Sequence, residues 1–374
     1  MQINIVGGGP AGLYFAILMK KADPSRQIAV YERNAPDATF GWGVVFSDKT
    51  LSYLRDTDEP SYRGITESFE TWDNVDIVHR DEKITVRGNR FSGIARLELL
   101  GILQRRAEEL GVRLRYRTEV ADPIELAEAD LLVGADGVNS GVRARFAGVF
   151  HPSLDVRANR YIWFGTRQLF HGLTLTFRET RAGVFAAHSY KFDKHLSTFI
   201  VECDPETWQE AGFAEMSDDE TRAHLERVFA DDLGGYNLLS NNSKWINFVL
   251  VKNRRWHHAN VVLLGDALHT AHFSIGSGTK LALEDSIALA GAFERTATVE
   301  EALADFERVR RPVIDEYQEA ALESMEWFER ARDFMHLEPM PFAFSLMTRS
   351  KRIDYENLKR RDPAFIAAYD AATR

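Results

Sequence analysis

The chain opens with two short apolar runs separated by a longer one. Ile3-Asn4-Ile5-Val6 and Ile28-Ala29-Val30-Tyr31 have the length and β-branched content of buried strands, and the apolar residues Leu13 to Met19 between them fit a helix. Residues 3–33 therefore predict strand, helix and strand. Residues 75–79 and 83–87 read as paired strands with a Gly88-Asn89 turn signal. Apolar residues at 97, 99, 100, 103, 107 and 110 line one face of a helix from Arg96 to Leu110, and strands follow at 112–117 and 130–134. The apolar segment Phe40–Ser47 is broken by Gly41 and Gly43, which predicts a mobile or closely packed loop.

From 156 to 203 the texture changes to alternation rich in aromatic and β-branched residues: Tyr161-Ile162-Trp163-Phe164, Leu173 to Phe177, Gly183 to His188, Ser197 to Val201. Strands at such short spacing predict an antiparallel sheet. Ser217-Asp218-Asp219-Glu220 reads as a capping box that starts a helix near 217–230, and a strand is expected near 245–251. Val261-Val262-Leu263-Leu264-Gly265-Asp266 returns to the buried-strand texture, and long helices follow over 278–294 and 299–335.

The turn after the first strand carries chemistry. Gly7 allows the tight turn, Gly9 lets a pyrophosphate approach the backbone, and Gly12 lets the helix pack closely on the strand. The helix that starts at Pro10 and Ala11 then turns its positive end and free N–H groups toward the phosphates. Glu32 follows Gly12 at the spacing of about 20 residues usual for a carboxylate that accepts from a ribose hydroxyl, with Arg33 beside it. The fold expected is α/β, a Rossmann-like domain interleaved with a substrate domain built on the antiparallel sheet. Residues 1–70, 91–155 and 255–335 belong to the first, 71–90 and 156–254 to the second, and 336–374 form a tail packed on the core.

A net charge of −10 over 374 residues argues against nucleic-acid binding, and no apolar run approaches the length of about 20 residues that a membrane helix needs. Cys203, the only cysteine, lies in an apolar run and reads as a buried inert thiol; it excludes intrachain disulfides and thiolate metal clusters. No metal site is expected. The glycine motif begins at residue 7, so no signal peptide is expected before it, and the location inferred is cytoplasmic.

Three glycine–acid elements now stand in order: Gly7 to Gly12 with Glu32, Asp136-Gly137, and Gly265-Asp266. Together they suit one long ligand with two phosphates and two ribose-like chains. This combination resembles the flavin-dependent aromatic hydroxylases of the p-hydroxybenzoate hydroxylase type. Their second element reads roughly D-G-x-x-S-x-x-R, matched by Asp136, Gly137, Ser140 and Arg143. Their third reads G-D-A-A-H, then Pro, G-x-G and Asn. Here it is Gly265-Asp266-Ala267-Leu268-His269, with Phe273 at the proline position, Gly276 and Gly278, and Lys280 at the asparagine position. Arg96 matches the arginine that reaches the flavin pyrophosphate. The resemblance implies non-covalent FAD held by these elements, with Gly276, Gly278 and Thr279 at the start of the following helix. A narrower resemblance, carried by Gly41 to Val45, Arg160 to Thr166, His188 to Phe192 and His272 to Lys280, is to the salicylyl-CoA 5-hydroxylases. The tryptophan hydroxylases of violacein synthesis are less similar.

The resemblance implies that NADH or NADPH, bound transiently without its own domain, reduces the flavin. O2 then adds as a C4a-hydroperoxide that hydroxylates an aromatic ring, salicylyl-CoA giving gentisyl-CoA. A tryptophan- or indole-derived substrate and an aminobenzoyl-CoA are the alternatives; a flavin reductase or a non-redox FAD-fold binding protein is the alternative of another class. The stand-alone hydroxylase is expected, and a homo-oligomer is compatible with it. His188, Tyr190 and His272 are the candidates for catalysis, His188 as acceptor of a phenol proton or simply a packed core histidine. Trp42 and Lys280 are candidates for the substrate pocket. Arg349, Lys351 and Arg352 cluster in the tail as a patch for CoA phosphates, unless they are an ordinary solvated face.

Overall fold

The computed structural model describes residues 1–276 and 278–374, with side chains at all of these but 47–51. Strand Gln2–Val6 sits inside a six-stranded sheet, parallel to Gln27–Tyr31 on one side and Leu131–Gly134 on the other. Val261–Leu263 and Arg113–Arg115 extend it in parallel, and the short strand His257–His258 closes one edge antiparallel. Parallel strands need crossovers that cover both faces, which is why Ile3, Ile5, Leu131, Leu132, Val262 and Leu263 are wholly buried. Helices Pro10–Ala22, Arg96–Glu109 and Gly278–Arg295 supply that cover.

The second sheet has eight strands. Pro152–Thr166, Ser197–Cys203, Val184–Lys191 and Leu173–Glu179 are antiparallel neighbours in that order, and Ile246–Asn253 also pairs with the long first strand. The hairpin Val75–His79 and Glu82–Val86 joins this sheet through a parallel pairing of Val75–Val78 with Leu173–Thr176, one departure from an all-antiparallel expectation. Its turn is Arg80-Asp81, both at positive φ, and Gly88, also at positive φ, follows the second strand. Period-two alternation separates two cores. Phe185, Ala187, Phe199, Val201 and Cys203 pack with Leu225 and Phe229 on one face. Ala186, Leu175 and Phe177 join Trp327, Phe328 and Phe342 on the other. The buried Cys203 thiol is pushed well up by burial, as suits an inert side chain.

Two expectations are corrected. Residues 43–47 form a strand in a three-stranded sheet with Phe91–Ala95 and Glu70–Trp72, because Gly41 and Gly43 allow close packing there and not mobility. A Cβ on Gly41 would lie 2.6 Å from the Trp163 ring, and one on Gly165 would lie 2.6 Å from the Trp42 ring, so each tryptophan is seated on the other's glycine neighbour. The second long helix ends at Glu329, with a short turn of helix Ala331–Phe334 after the break at Arg330. The tail forms helices Pro339–Thr348, Tyr355–Arg361 and Pro363–Ala372 that return to the Val75–Val86 hairpin. Asp362 fastens it there, accepting from the Arg87 N–H at 2.7 Å and capping the last helix. The capping box at Ser217 and Glu220 forms as expected.

Candidate active site

Between the two large sheets and the tail lies a cavity of about 510 Å³. One part of its wall comes from the glycine-rich elements: Gly43 to Val45, Arg96, Asp266, Gly276, Gly278 and Thr279. The large antiparallel sheet adds Trp163, Leu175, His188, Tyr190 and Ile200, and the tail adds Met347, Arg349, Arg352 and Arg361. Four arginines face one aspartate in this lining, a local positive field in a chain of net charge −10.

The glycines test whether FAD fits. Gly7 has φ 110°, and a Cβ there would sit 2.2 Å from the Ala135 carbonyl oxygen; one on Gly12 would sit 2.2 Å from the Gly7 oxygen. Those two glycines are required by the protein's own packing. Gly9 is not: nothing lies within 4 Å of its missing Cβ, and no side chain caps the helix that begins at Pro10 and Ala11. Open space and uncapped N–H groups are what a pyrophosphate needs. Asp266 is solvent-accessible yet surrounded by protein on the cavity wall, where burial raises its carboxyl above the usual range against the pull of Arg96. Arg96 donates Nε to Thr39 Oγ1 at 3.1 Å, and burial draws its guanidinium down. The arrangement fits an FAD.

Two acids have structural work. Glu32 Oε2 accepts the Gly8 N–H at 2.8 Å and Oε1 accepts both N–H groups of Asn34, which pins the glycine turn to the second strand. Arg33 beside it is exposed. Asp136 caps its own helix, accepting from Ser140 Oγ at 2.5 Å, Gly141 N at 2.7 Å and Val142 N at 3.1 Å, and does not line the cavity. Arg143 ties that turn to the third element by donating to the Val138 and Ala267 carbonyls.

Three substrate-side expectations change. Trp42 packs on Gly165 and Phe192, outside the cavity lining. Lys280 points inward, to Tyr317 Oη at 2.8 Å and Glu284 at 2.9 Å, where Arg310, Asp285 and His269 continue a buried ionic cluster. The tail trio divides. Arg349 is enclosed in the cavity wall, donating to Ser324, Leu346 and Ser274, and burial draws it down to about 10. Lys351, at φ 54°, turns outward to Glu323, while Arg352 lies across the Tyr317 ring with one edge on the cavity. Arg361, exposed and on the lining, joins Arg352 to mark the opening.

His188 and Tyr190 reach the cavity from one strand. Tyr190 donates to the Gly43 carbonyl at 2.8 Å, fixing strand Gly43–Ser47 against the sheet. His188 Nε2 lies 3.2 Å from Glu202 Oε2. His272, behind the lining, bonds Ser274 Oγ through Nδ1 at 2.8 Å and faces Glu202 across 4.0 Å; burial lowers it to about 4, so it is neutral at pH 7. Glu202 itself was not among the sequence candidates. Burial pushes its carboxyl up, but the hydrogen bond from His188, the charges of the two histidines and a bond from Asn159 outweigh that and hold it below the usual range. An acid at the end of the apolar run Phe199-Ile200-Val201, directly before Cys203, is the available signal.

Residues 1–321 match the family model described as FAD binding domain, and the chain belongs to that family. Within it, the chain is an FAD-dependent aromatic monooxygenase. It is 41% identical to salicyloyl-CoA 5-hydroxylase of a Streptomyces species, over 99% of this chain and 73% of that one. It is 35% identical to protodeoxyviolaceinate monooxygenase of Chromobacterium violaceum, over 94% and 95% of the two chains. A solved structure of 2-methyl-3-hydroxypyridine-5-carboxylic acid oxygenase shares the fold, with a TM-score of 0.74 at 19% identity over 96% of this chain and 98% of that one. Among the described residues no helix is long and apolar enough to cross a membrane, and no group of His, Cys, Asp and Glu could hold a metal ion.

Proposed function

We propose that the chain hydroxylates an aryl-CoA thioester, salicylyl-CoA at ring carbon 5, to give gentisyl-CoA with consumption of O2 and NAD(P)H. The observation that carries this reading is the cavity itself: an aromatic and aliphatic middle, with Arg352 and Arg361 at its opening. A CoA ester has a reacting ring at one end of a long arm and phosphates at the other, and arginines bind phosphate through charge-assisted hydrogen bonds. The likeness to salicyloyl-CoA 5-hydroxylase supports the same substrate. In this reading FAD lies against residues 1–70, 91–155 and 255–335, and the substrate ring against 71–90 and 156–254, with the tail over both.

Bound FAD would take electrons from NAD(P)H and activate O2. Gly9 and the start of the helix at Pro10 would receive the pyrophosphate, with Arg96 adding charge; Asp266 would accept from the ribityl chain. Gly276, Gly278 and Thr279 would border the flavin. Trp163, Leu175, Ile200 and Phe273 would exclude water from the ring and hold it flat. The phenol oxygen donates electrons to its para carbon, which is carbon 5 of the salicyl group. The test is NAD(P)H oxidation and product mass with salicylyl-CoA, free salicylate, anthraniloyl-CoA and tryptophan derivatives offered in turn. Coupled turnover of salicylyl-CoA to a product one oxygen heavier is expected; turnover of a tryptophan derivative in its place overturns the reading.

A further inference from the structure

Glu202 is a carboxylate in a place where a charge is costly. Only 2% of it is exposed, and every residue of its strand, Ser197–Cys203, is buried. Strand register places it diagonally behind His188, since Ala186 pairs with Glu202 and His188 with Ile200. Oε2 meets His188 Nε2 at 3.2 Å, and Oε1 receives Asn159 Nδ2 at 2.9 Å. A carboxylate accepts only, so the hydrogen of a neutral His188 must sit on Nε2 and the lone pair on Nδ1. The ring is held edge-on to Phe273 at 5.2 Å and against Phe328 at 4.7 Å, so it has one orientation at the cavity wall.

We propose that Glu202 is a positioning residue for a base at His188, holding the imidazole so that Nδ1 takes the proton from the phenol of the bound substrate. This rests on the reading of the substrate as a phenolic aryl thioester. In the step the phenol O–H bond breaks, its electron pair stays on the oxygen, and an N–H bond forms at Nδ1. The imidazolium so formed faces the Glu202 carboxylate, and the phenolate directs oxygen to its para carbon. As product forms, the C–H bond at that carbon breaks, its proton leaves to the medium, its electron pair restores the aromatic ring, and Nδ1 returns its own proton to the phenol oxygen.

The other charged and titratable groups around the pair suit this assignment. His272 comes from the loop after Asp266 and is neutral at pH 7, so it adds no competing cation. Tyr161, on the neighbouring strand, is pushed up by burial and by Asp266 and Glu202, and stays protonated. Arg349 reaches in from the tail but spends its donors on Ser324, Leu346 and Ser274. Arg157 is engaged by Glu329 and Asp155. None of these meets His188 Nε2; Glu202 does.

The test uses the FAD-loaded enzyme and salicylyl-CoA, reading the phenolate band by difference absorbance from about pH 5 to 9 around the histidine range. Wild type should show bound phenolate with a midpoint below that of the free thioester. Glu202→Gln should raise that midpoint by about one unit or more and lower kcat roughly 100-fold, with KM little changed. Glu202→Asp should recover part of both. An unchanged midpoint and kcat in Glu202→Gln overturn the proposal, as does a wild type that hydroxylates the ring with the phenol bound protonated at every pH. If Glu202→Gln fails to fold, which its FAD content would reveal, Glu202→Asp carries the comparison, and a midpoint and kcat identical to wild type in that variant overturn the proposal. A wild type that binds salicylyl-CoA but does not hydroxylate it removes the substrate reading, and the phenolate titration still reports on Glu202.

Discussion

Arg352 and Arg361 should control affinity for a CoA thioester, and Lys351, next to Arg352 in sequence, should not. The perturbation is charge reversal, Arg352→Glu with Arg361→Glu, compared with Lys351→Glu alone. Two unit charges about 4 Å apart interact by about 1 kcal/mol in water, and exposed pairs measure roughly 0.2–1 kcal/mol. Arg352 has 39% of its side chain exposed, so the lower dielectric value does not apply. Replacing attraction by repulsion at each site then costs about 1 kcal/mol, or about 2 for the pair, roughly a 30-fold rise in KM. Lys351 has 79% of its side chain exposed and is turned toward Glu323, outside the cavity lining. Initial rates of NAD(P)H oxidation against salicylyl-CoA concentration provide the assay, at low salt and again near 1 M. The screening length falls from about 10 Å at 0.1 M to about 3 Å at 1 M, so most of the penalty should disappear. Equal KM values for the double variant and wild type at low salt would refute the reasoning, as would a larger effect from Lys351→Glu.

Gly9→Ala should lose FAD while leaving the apoprotein's urea midpoint within error, because its Cβ meets nothing in the protein, whereas Gly12→Ala should lower that midpoint, its Cβ falling 2.2 Å from the Gly7 oxygen. Asp266→Ala should weaken FAD retention by roughly 1–3 kcal/mol, read by flavin fluorescence on dilution, since a buried hydroxyl would lose its acceptor. His272 is lowered to about 4 by burial, so its unfolded form binds a proton that the folded form does not. The stability it contributes is present above about pH 6.5 and is lost as pH falls toward 4, by about 3 kcal/mol at most, and His272→Gln should flatten that limb of a urea-midpoint profile.

The elements that could be read from the sequence were those whose signals are local. Apolar periodicity and the glycine turn marked strand Gln2–Val6, helix Pro10–Ala22 and strand Gln27–Tyr31, and alternation marked the strands between Pro152 and Cys203. What could not be read depended on partners distant in the chain. Gly41 and Gly43 look like loop residues until Trp163 and Phe192 are seen filling the space that a Cβ would take. The run Arg349 to Arg352 looks like one patch, but a turn at Lys351 sends adjacent side chains to different sides. Lys280 looked like a pocket residue because of the glycines before it, and helical periodicity instead aims it at Glu284, four residues on. Glu202 escapes a reading of strand texture, which rests on the apolar members of a strand, and its tie to His188 comes from a strand 14 residues away in the chain.

The exchange of seats between two tryptophans and two glycines bears on how this protein can change over generations. Gly41 receives Trp163 and Gly165 receives Trp42, and Trp163 forms part of the cavity wall. A larger residue at either glycine is obstructed while its tryptophan remains, and a smaller residue at either tryptophan leaves a hole while its glycine remains. Each single step is therefore unfavourable and the paired step is less so, the non-additivity expected of residues in direct contact. Lineages that reshape this wall for a different ring should carry matched replacements at 41 with 163, or at 42 with 165. A search for new specificity that varies Trp163 alone would be exploring along the direction in which the fold gives least.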